Sequence, residues 1–399
     1  MKGGFGGEPF GDSSKQNFEI RSCKGGLGVL PQRMVIKHNF IFYLIILGIT
    51  LFVGVLFIYS SLFAISDIKE INPDQKFQTY IIALILGFLG AVIAFMFSDT
   101  FTKNKHIMIA LFVFLNLILI IVLFTQPIAG VKRWLNIGPF QFQPSELAKL
   151  IIPAFLAFYY TQIQNKKNLL INVIFPILVC GFSIFLIFLE PDLSSSLIIT
   201  MLTLITIFLG IRDKKVMLFF FIFTLIIISV LFIFKDNFLQ TYQISRLTSS
   251  DDFQSQRSRD AITNGGLIGT GPFAGEFKYY VPESYSDFII SVIGEEWGKL
   301  GIVMVLTLFF FLSHELVYLA YLTKDHGTFI FCGATASWIF IQVVINTLVG
   351  LGVPWMPVTG VTLPMVSYGN SSMIVTLTSI GWGLGLIYHN SELASSDEE

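Results

Sequence analysis

FIFYLIILGITLFVGVLFIYSSLFAI, residues Phe40–Ile65, runs without a single charged side chain. About 20 such residues are enough for a helix to cross the hydrocarbon core of a bilayer. No water is present there, so a lone span must satisfy its own backbone amides, which a helix does. Working outward, comparable apolar runs recur at 79–98, 107–125, 146–163, 169–189, 193–211, 216–234, 301–322, 327–352 and 371–389. The spacing predicts an all-α integral membrane fold with ten transmembrane helices. Only Glu190, Pro191 and Asp192 separate the fifth from the sixth.

Composition agrees. The 399 residues are 54% hydrophobic and 13% charged, where a soluble domain carries about 25% charge. A net charge of −1 lacks the basic excess that nucleic acid requires. Cys23, Cys180 and Cys332 are too far apart for a metal motif, and the last two lie in apolar runs as small hydrophobes do. The first apolar run follows a polar tail and exceeds the core of a cleavable leader, so it is expected to stay as an anchor.

Lysine and arginine set the orientation. With a cytoplasmic N-terminus, the short inner loops hold Lys103, Lys105, Lys166, Lys167, Arg212, Lys214, Lys215 and Lys324. The short outer loops hold Lys69, Lys76, Lys132 and Arg133. That asymmetry satisfies the positive-inside rule and puts both termini in the cytoplasm. Residues 1–38 read as a disordered cytoplasmic tail, 39–390 as the membrane domain and 391–399 as an acidic cytoplasmic tail. A large extracytoplasmic loop, 235–300, joins helices 7 and 8.

Polar information gathers on the outer side in four segments. In GVKRWLNIGPFQFQPSELAKL, Gly130–Leu150, Pro144 suits a helix entrance and Ser145 can cap nearby amides. Glu146 and Lys149 follow at i,i+3 on one face, where each needs a partner; a purely structural ion pair is the plainer alternative. EPDLSSS, Glu190–Ser196, places two acids before a helix, which the helix dipole alone favours. The long loop carries YQISRLTSS (Tyr242–Ser250), NGGLIGTGPFAGEFK (Asn264–Lys278) and then Pro282, Glu283 and Asp287. These precede a short amphipathic helix bearing Glu295, Glu296 and Lys299. Loops this long are functional or disordered, and this one is too aromatic for a tether. Finally VGLGVPWMPVTGVTLPMVSYGNSS, Val349–Ser372, is uncharged and rich in Pro and Gly between helices 9 and 10. It reads as a re-entrant, cavity-lining segment, because irregular backbone at membrane depth must be buried in protein; a plain loop is the alternative.

These segments describe a polar groove open to the outside and to lipid. No zinc cluster, nucleotide loop or serine-hydrolase elbow is present. A carboxylate acting as general base toward a hydroxyl fits the residues best.

RWLNIGPFQFQPSELAKL, EPD, YQISRLTS, GGLIGTGP, PESYSDFIISVIGEEWGKLG and MPVTGVTLPMVSYGNSS, in that order, closely resemble the SEDS family of bacterial cell-wall proteins (FtsW, RodA and the sporulation paralogue) over about residues 40–390. The resemblance implies a peptidoglycan glycosyltransferase of the bacterial cytoplasmic membrane. It would polymerise lipid II at the outer face, with an undecaprenyl-pyrophosphate leaving group. It implies Asp287 as catalytic base, aided by Glu146 and Lys149, with Glu283 the second choice. Lys149 would orient Asp287 or balance the pyrophosphate, and Arg246, Arg257 and Lys278 are further phosphate candidates. The substrate-binding set is Arg133, Glu190, Asp192, Arg246, Lys278, Glu283, Thr359, Ser367 and Ser371. No cofactor is certain, and a divalent cation (Mg or Mn) is a candidate without a legible ligand set. GTGPFAGEFK leans toward the FtsW branch and septal synthesis rather than RodA-like elongation. The implied partners are a class B penicillin-binding transpeptidase, whose membrane helix packs against helices 8 and 9, and other divisome proteins, alongside membrane lipid. The chain departs from the family at Ser194-Ser195, normally Gly-Thr, at Asn370, normally Gly, and at Ile290, normally aromatic. A lipid II flippase, using intramembrane Glu146, Lys149, His314 and Glu315, and a noncatalytic scaffold are the alternatives.

Overall fold

The structure is a computed structural model and describes residues 32–65, 72–127, 131–138, 140–162, 168–222, 253–353 and 360–396. Arg246, Thr359, the expected tail to residue 31, part of the seventh span and part of the long loop lie outside the described residues. The described chain is almost entirely helical.

Local chemistry sets the helix ends. α1 spans Gln32–Ile65 and α2 spans Pro73–Lys103. Asn72 caps α2 by accepting from Gln75 N at 3.2 Å, with Pro73 in the first turn, where its missing N–H costs nothing. Asn104 ends α2 and caps α3, Lys105–Leu123, through His106 N at 2.9 Å. A two-stranded antiparallel hairpin follows, β1 Leu135–Ile137 on β2 Phe140–Phe142, in register Asn136↔Gln141. Gly138 supplies the φ of +60° that its tight turn needs.

α4, Pro144–Gln162, starts on Pro144 as expected. A π-helical turn, Leu170–Ile174, leads into α5, Phe175–Leu189. Tyr159 and Tyr160 donate to the Ile171 and Asn172 carbonyls at 2.7 and 2.6 Å, satisfying carbonyls there. α6 is Leu193–Gly210, capped by Asp192 on Ser195 N at 3.1 Å. Residues 214–222 begin α7. Then come α8 Phe253–Gly265, α9 Ile289–Glu296, α10 Gly298–Leu322, α11 His326–Gly350 and α12 Asn370–Ser396.

Among the described residues, eight helices are long and apolar enough to cross a membrane: α1, α2, α3, α5 with its π turn, α6, α10, α11 and α12. α4, expected as the fourth span, is kept less apolar by its polar N-terminal end and sits in the middle of the bundle, buried on most sides. Large apolar side chains such as Phe52, Phe88, Leu178 and Phe185 stay exposed around the periphery. An apolar belt of that extent matches lipid rather than water.

Three expectations are corrected. α1 begins at Gln32, so the tail expected through residue 38 ends in helix. α12 continues to Ser396, into the segment expected as an acidic tail. The short amphipathic helix α9 ends at Glu296, so Lys299, expected on it, falls on α10, and all eight residues of α9 are buried.

Two close contacts place the functional end. α2 and α12 run parallel, with Gly381 and Gly385 against α2. A Cβ on Gly381 would lie 2.3 Å from Ala91 O, and one on Gly385 2.4 Å from Phe95 O. Small residues at that spacing let two membrane helices approach backbone to backbone. The pair thereby holds Lys76 and Ser371 at one end of the bundle.

The second contact is a clasp on α9. The Glu295 carboxylate accepts from Phe277 N (2.8 Å), Lys278 N (2.6 Å) and Asn264 Nδ2 (3.1 Å). Glu296 accepts from Lys278 Nζ at 2.6 Å, Phe273 N at 3.0 Å and Ser60 Oγ. The glycine-rich stretch wraps these acids so closely that a Cβ on Gly269, at φ +99°, would meet Glu296 O at 2.2 Å. Glycine is needed there for conformation and for space.

Candidate functional site

A polar cleft of about 550 Å³ opens where the first turns of α2, α4, α6 and α12 converge. Helix N-termini carry partial positive charge, so four of them around one cleft favour an anionic group. The walls add Lys76, Arg133 and Lys149, the hairpin residues Gln141 and Gln143, and the acids Glu146, Asp192, Glu283 and Asp287.

Glu146 and Lys149, one helical turn apart, form a buried ion pair with Nζ to Oε1 2.6 Å. Lys149 also donates to Gln342 Oε1 at 3.2 Å and lies 5.1 Å from the Trp338 ring centroid. Gln342 in turn donates to Thr362 O at 2.9 Å. The lysine thus links α4, α11 and the segment 360–369, while Glu146 Oε2, shielded from solvent, has no hydrogen-bond partner. Buried charges at this depth need such pairing.

Asp287 sits half-buried on the turn before α9. Its Oδ1 accepts from Ser286 Oγ at 2.9 Å, and its backbone carbonyl accepts from Asn346 Nδ2 at 2.9 Å. Asn346 also reaches Val361 O at 2.7 Å, so one α11 side chain fixes both the turn and the 360s segment. Gly360, at φ +62°, passes so near that an added Cβ would stand 3.4 Å from Asp287 Oδ2. Burial pushes the Asp287 carboxyl up to about 6; the Ser286 hydroxyl pulls it down and the Glu283 charge raises it. A carboxylate so poised is largely ionised at neutral pH yet basic enough to accept a proton.

Glu283 occupies a left-handed conformation, φ +54°, rare outside glycine and concentrated at functional sites. Lys76 donates to Tyr285 Oη at 2.7 Å and stands 4.1 Å from that ring's centroid and 5.6 Å from that of Tyr368. Tyr368 N donates to Tyr285 O at 2.8 Å, closing the two segments on each other.

Of the expected site residues, the cleft brings together Glu146, Lys149, Asp287, Glu283, Arg133, Asp192 and Ser371. Arg133 donates to the carbonyls of Glu190 (3.3 Å) and Pro191 and lies 3.9 Å from Asp192. Asp192 accepts from Gln143 Nε2 at 2.7 Å, and Ser371 Oγ from Gln143 N at 2.9 Å. Of the positions that depart from the family pattern, Ser194, Ser195 and Asn370 also line it, while Ile290 is buried away from it. Asn370 opens α12 and is not among the residues with positive φ, so its backbone is ordinary.

Three expectations fail on position. Lys278, proposed for phosphate, is 1% exposed and locked to Glu296 and Ser60. Glu190 is fully buried beneath the turn, with neither carboxylate oxygen hydrogen-bonded. Burial pushes it up to about 9, Asp192 adding to the rise and Arg133 opposing it. Ser367 is buried and accepts from Leu363 N at 2.9 Å, capping its own turn. None of the three lines the cleft. Arg257, half exposed, faces Asp260 at 3.9 Å instead.

The sequence reading missed Lys76, Gln342, Asn346 and the hairpin glutamines. Gln342 and Asn346, at i,i+4 in an otherwise apolar span, were a usable signal. Among the described residues, no three His, Cys, Asp or Glu side chains converge to hold a metal ion.

A family model for FtsW, RodA and SpoVE, described as cell cycle proteins, matches residues 40–392. A probable peptidoglycan glycosyltransferase FtsW of Wigglesworthia glossinidia brevipalpis is 34% identical over 292 residues, 69% of this chain and 74% of that one. The protein of that name from Borreliella burgdorferi is 31% identical over 355 residues, 85% and 94% of the two chains. A chain from a peptidoglycan synthase complex that coordinates polymerization and crosslinking superposes with TM-score 0.70 at 27% identity, covering 87% of this chain and 97% of that one. A mutant of Thermus thermophilus RodA, a rod shape determining protein, gives TM-score 0.62 at 25% identity, with 87% and 97% covered.

Proposed function

The chain belongs to the FtsW/RodA/SpoVE family of cell cycle proteins and is a multi-pass membrane protein, and from that premise we propose that it is a peptidoglycan glycosyltransferase that polymerises lipid II. The relatives named as such enzymes support the activity, and their FtsW name supports a role in septal synthesis during division rather than elongation. The finer topology belongs to the same reading. Ten spans, with α4 and α7 added to the eight, place both termini in the cytoplasm of the bacterial inner membrane and the cleft at the outer face. The segment between α11 and α12 is then re-entrant, and the long loop 235–300 is extracytoplasmic.

One observation carries the mechanism: Asp287, raised to about 6, faces a cleft that also holds three cations and four helix N-termini. In the proposed step, the acceptor sugar 4-hydroxyl gives its proton to Asp287 as its oxygen attacks the donor anomeric carbon. The bond to the lipid pyrophosphate breaks, and the leaving diphosphate keeps the electron pair. General-base assistance of this kind contributes roughly 10²–10⁴-fold. The helix N-termini, Lys76 and Arg133 stabilise the departing anion through charge-assisted hydrogen bonds. Lys149 acts differently from a direct partner of Asp287, since its bonds go to Glu146 and Gln342. It organises the cleft wall. A class B transpeptidase is the proposed partner, its membrane helix against the lipid-facing groove of α10 and α11, where Phe310, Val317 and Phe340 line a second, apolar cavity.

The test is polymerisation of labelled lipid II by the purified protein with its transpeptidase. Wild type should yield glycan strands and Asp287→Asn none. Strands made at the wild-type rate by Asp287→Asn would refute the assignment. Lipid II crossing liposomes without polymer would favour a flippase.

A further inference from the structure

A separate cavity of about 810 Å³ lies at the other end of the bundle. α6 connects the two sites: Asp192 and Ser195 at its start line the polar cleft, and Arg212 just past its end lines this cavity. Eighteen helical residues lie between, about 27 Å at 1.5 Å per residue. The two cavities therefore open on opposite faces of the membrane.

The rim is basic. Arg212 and Lys324 both line it, are exposed, and have no ion-pair partner among the described residues. The one acid in the wall, Asp325, is engaged elsewhere: its Oδ2 caps α11 through Thr328 N at 2.7 Å and Thr328 Oγ1 at 2.8 Å. His326 Nε2 lies 3.3 Å from Gly210 O, tying the ends of α6 and α11 together behind the two cations. Lys324 carries a second signal. It holds φ +59° in the turn between α10 and α11, the left-handed position that closes a helix and that glycine or asparagine ordinarily fills. Lys324 sits there against its backbone preference, with its side chain on the cavity rim.

The remaining wall is aromatic and apolar. Tyr318 and Tyr321 project from the last turns of α10, with Val35 and Phe329 completing an apolar floor. Cations, tyrosines and apolar side chains together at the end of a membrane bundle are the mix found at a bilayer interface. Basic pockets between membrane helices on that face bind anionic lipid headgroups.

We propose that this cavity binds the phosphate headgroup of an anionic glycerophospholipid from the leaflet opposite the polar cleft. Arg212 and Lys324 donate to its phosphate oxygens, and the tyrosines flank its glycerol. The site stands independently of the glycosyltransferase reading, since none of its residues belongs to the cleft.

The full chain, purified in detergent and stripped of lipid, is titrated with short-chain phosphatidylglycerol or phosphatidylcholine, with the thermal unfolding midpoint as readout. Phosphatidylglycerol should stabilise wild type and phosphatidylcholine should not. Arg212→Gln should weaken the apparent affinity about tenfold or more, the loss expected for one charge-assisted hydrogen bond. Lys324→Gly separates binding from folding, because it relieves the strained turn. Its lipid-free midpoint should equal or exceed wild type while its response to phosphatidylglycerol falls, and Lys324→Arg should restore that response. Equal stabilisation by both lipids, full substitution by inorganic phosphate, or an undiminished response in both variants would overturn the proposal.

Discussion

Glu283 and Ser286 act on Asp287 in opposite directions, so their variants should move the acid limb of polymerisation in opposite directions. The base works as a carboxylate, and with its pKa at about 6 it is about nine-tenths ionised at pH 7 and about one-tenth at pH 5. Activity should therefore rise about tenfold between those values. Glu283→Gln removes the charge that raises Asp287, so the limb moves to lower pH and relative activity at pH 5 increases. Ser286→Ala removes the hydrogen bond that stabilises the carboxylate at 2.9 Å, so the limb moves to higher pH. Each unit of displacement corresponds to ~1.4 kcal/mol. The same shift has a stability counterpart. An acid raised from 3.8 to about 6 binds its proton more tightly when folded. Stability is therefore lost as pH rises through that window and stays reduced above it, at a cost of about 3 kcal/mol by pH 7. Asp287→Asn should abolish polymerisation yet unfold at higher temperature at pH 7, with the gain vanishing below pH 4. The assays are initial rates on labelled lipid II from pH 4.5 to 8 and thermal unfolding over the same range. Limbs that coincide in all three proteins, or a less stable Asp287→Asn, would refute the reasoning.

Three further outcomes follow from the geometry. Glu296→Ala strands the Lys278 ammonium, which is 1% exposed, and should cost about 3–5 kcal/mol; detergent thermal unfolding reads it, and Lys278→Met in the same chain should recover part of the loss. Lys76→Ala should lower polymerisation about 10- to 100-fold, as loss of a charged hydrogen bond in the cleft predicts, with Lys76→Arg retaining most of it; a near wild-type rate for the alanine variant in lipid II turnover would remove Lys76 from the site. Glu190→Gln should preserve turnover, because Glu190 lies outside the cleft and is raised to about 9. Its pKa shift destabilises the fold increasingly as pH rises from about 4.5 toward 9, so the glutamine variant should gain stability over that window when unfolding is followed against pH.

The order of segments in the chain made much of this legible. The Glu146–Lys149 pair could be placed on one face from its i,i+3 spacing alone, and it does form at 2.6 Å. Asp192 could be placed before a helix, and it caps α6. Chemical type also suggested Lys278 and Glu190 as ligands, and there the reading failed. A lysine in a loop looks solvent-facing until a neighbouring helix supplies a buried carboxylate, as Glu296 does from 18 residues away. Glu295 and Glu296 looked like the polar face of a surface helix, yet loop amides from Phe273 to Lys278 satisfy them inside the protein.

The sequence by itself determined the membrane fold, because uncharged runs long enough to span a bilayer admit one backbone solution when water is absent. It also determined which turns carry acids and bases. Tertiary structure alone decided which of those groups share a cleft. That depends on how deeply helices far apart in the chain sink into one another, as where Gly381 and Gly385 admit the α2 backbone, and on which charges find partners before reaching the cavity. Desolvation and pairing are properties of the assembled neighbourhood, so the Asp287 and Glu190 carboxyls were pushed up and Lys278 became a buried rivet only once the helices had packed.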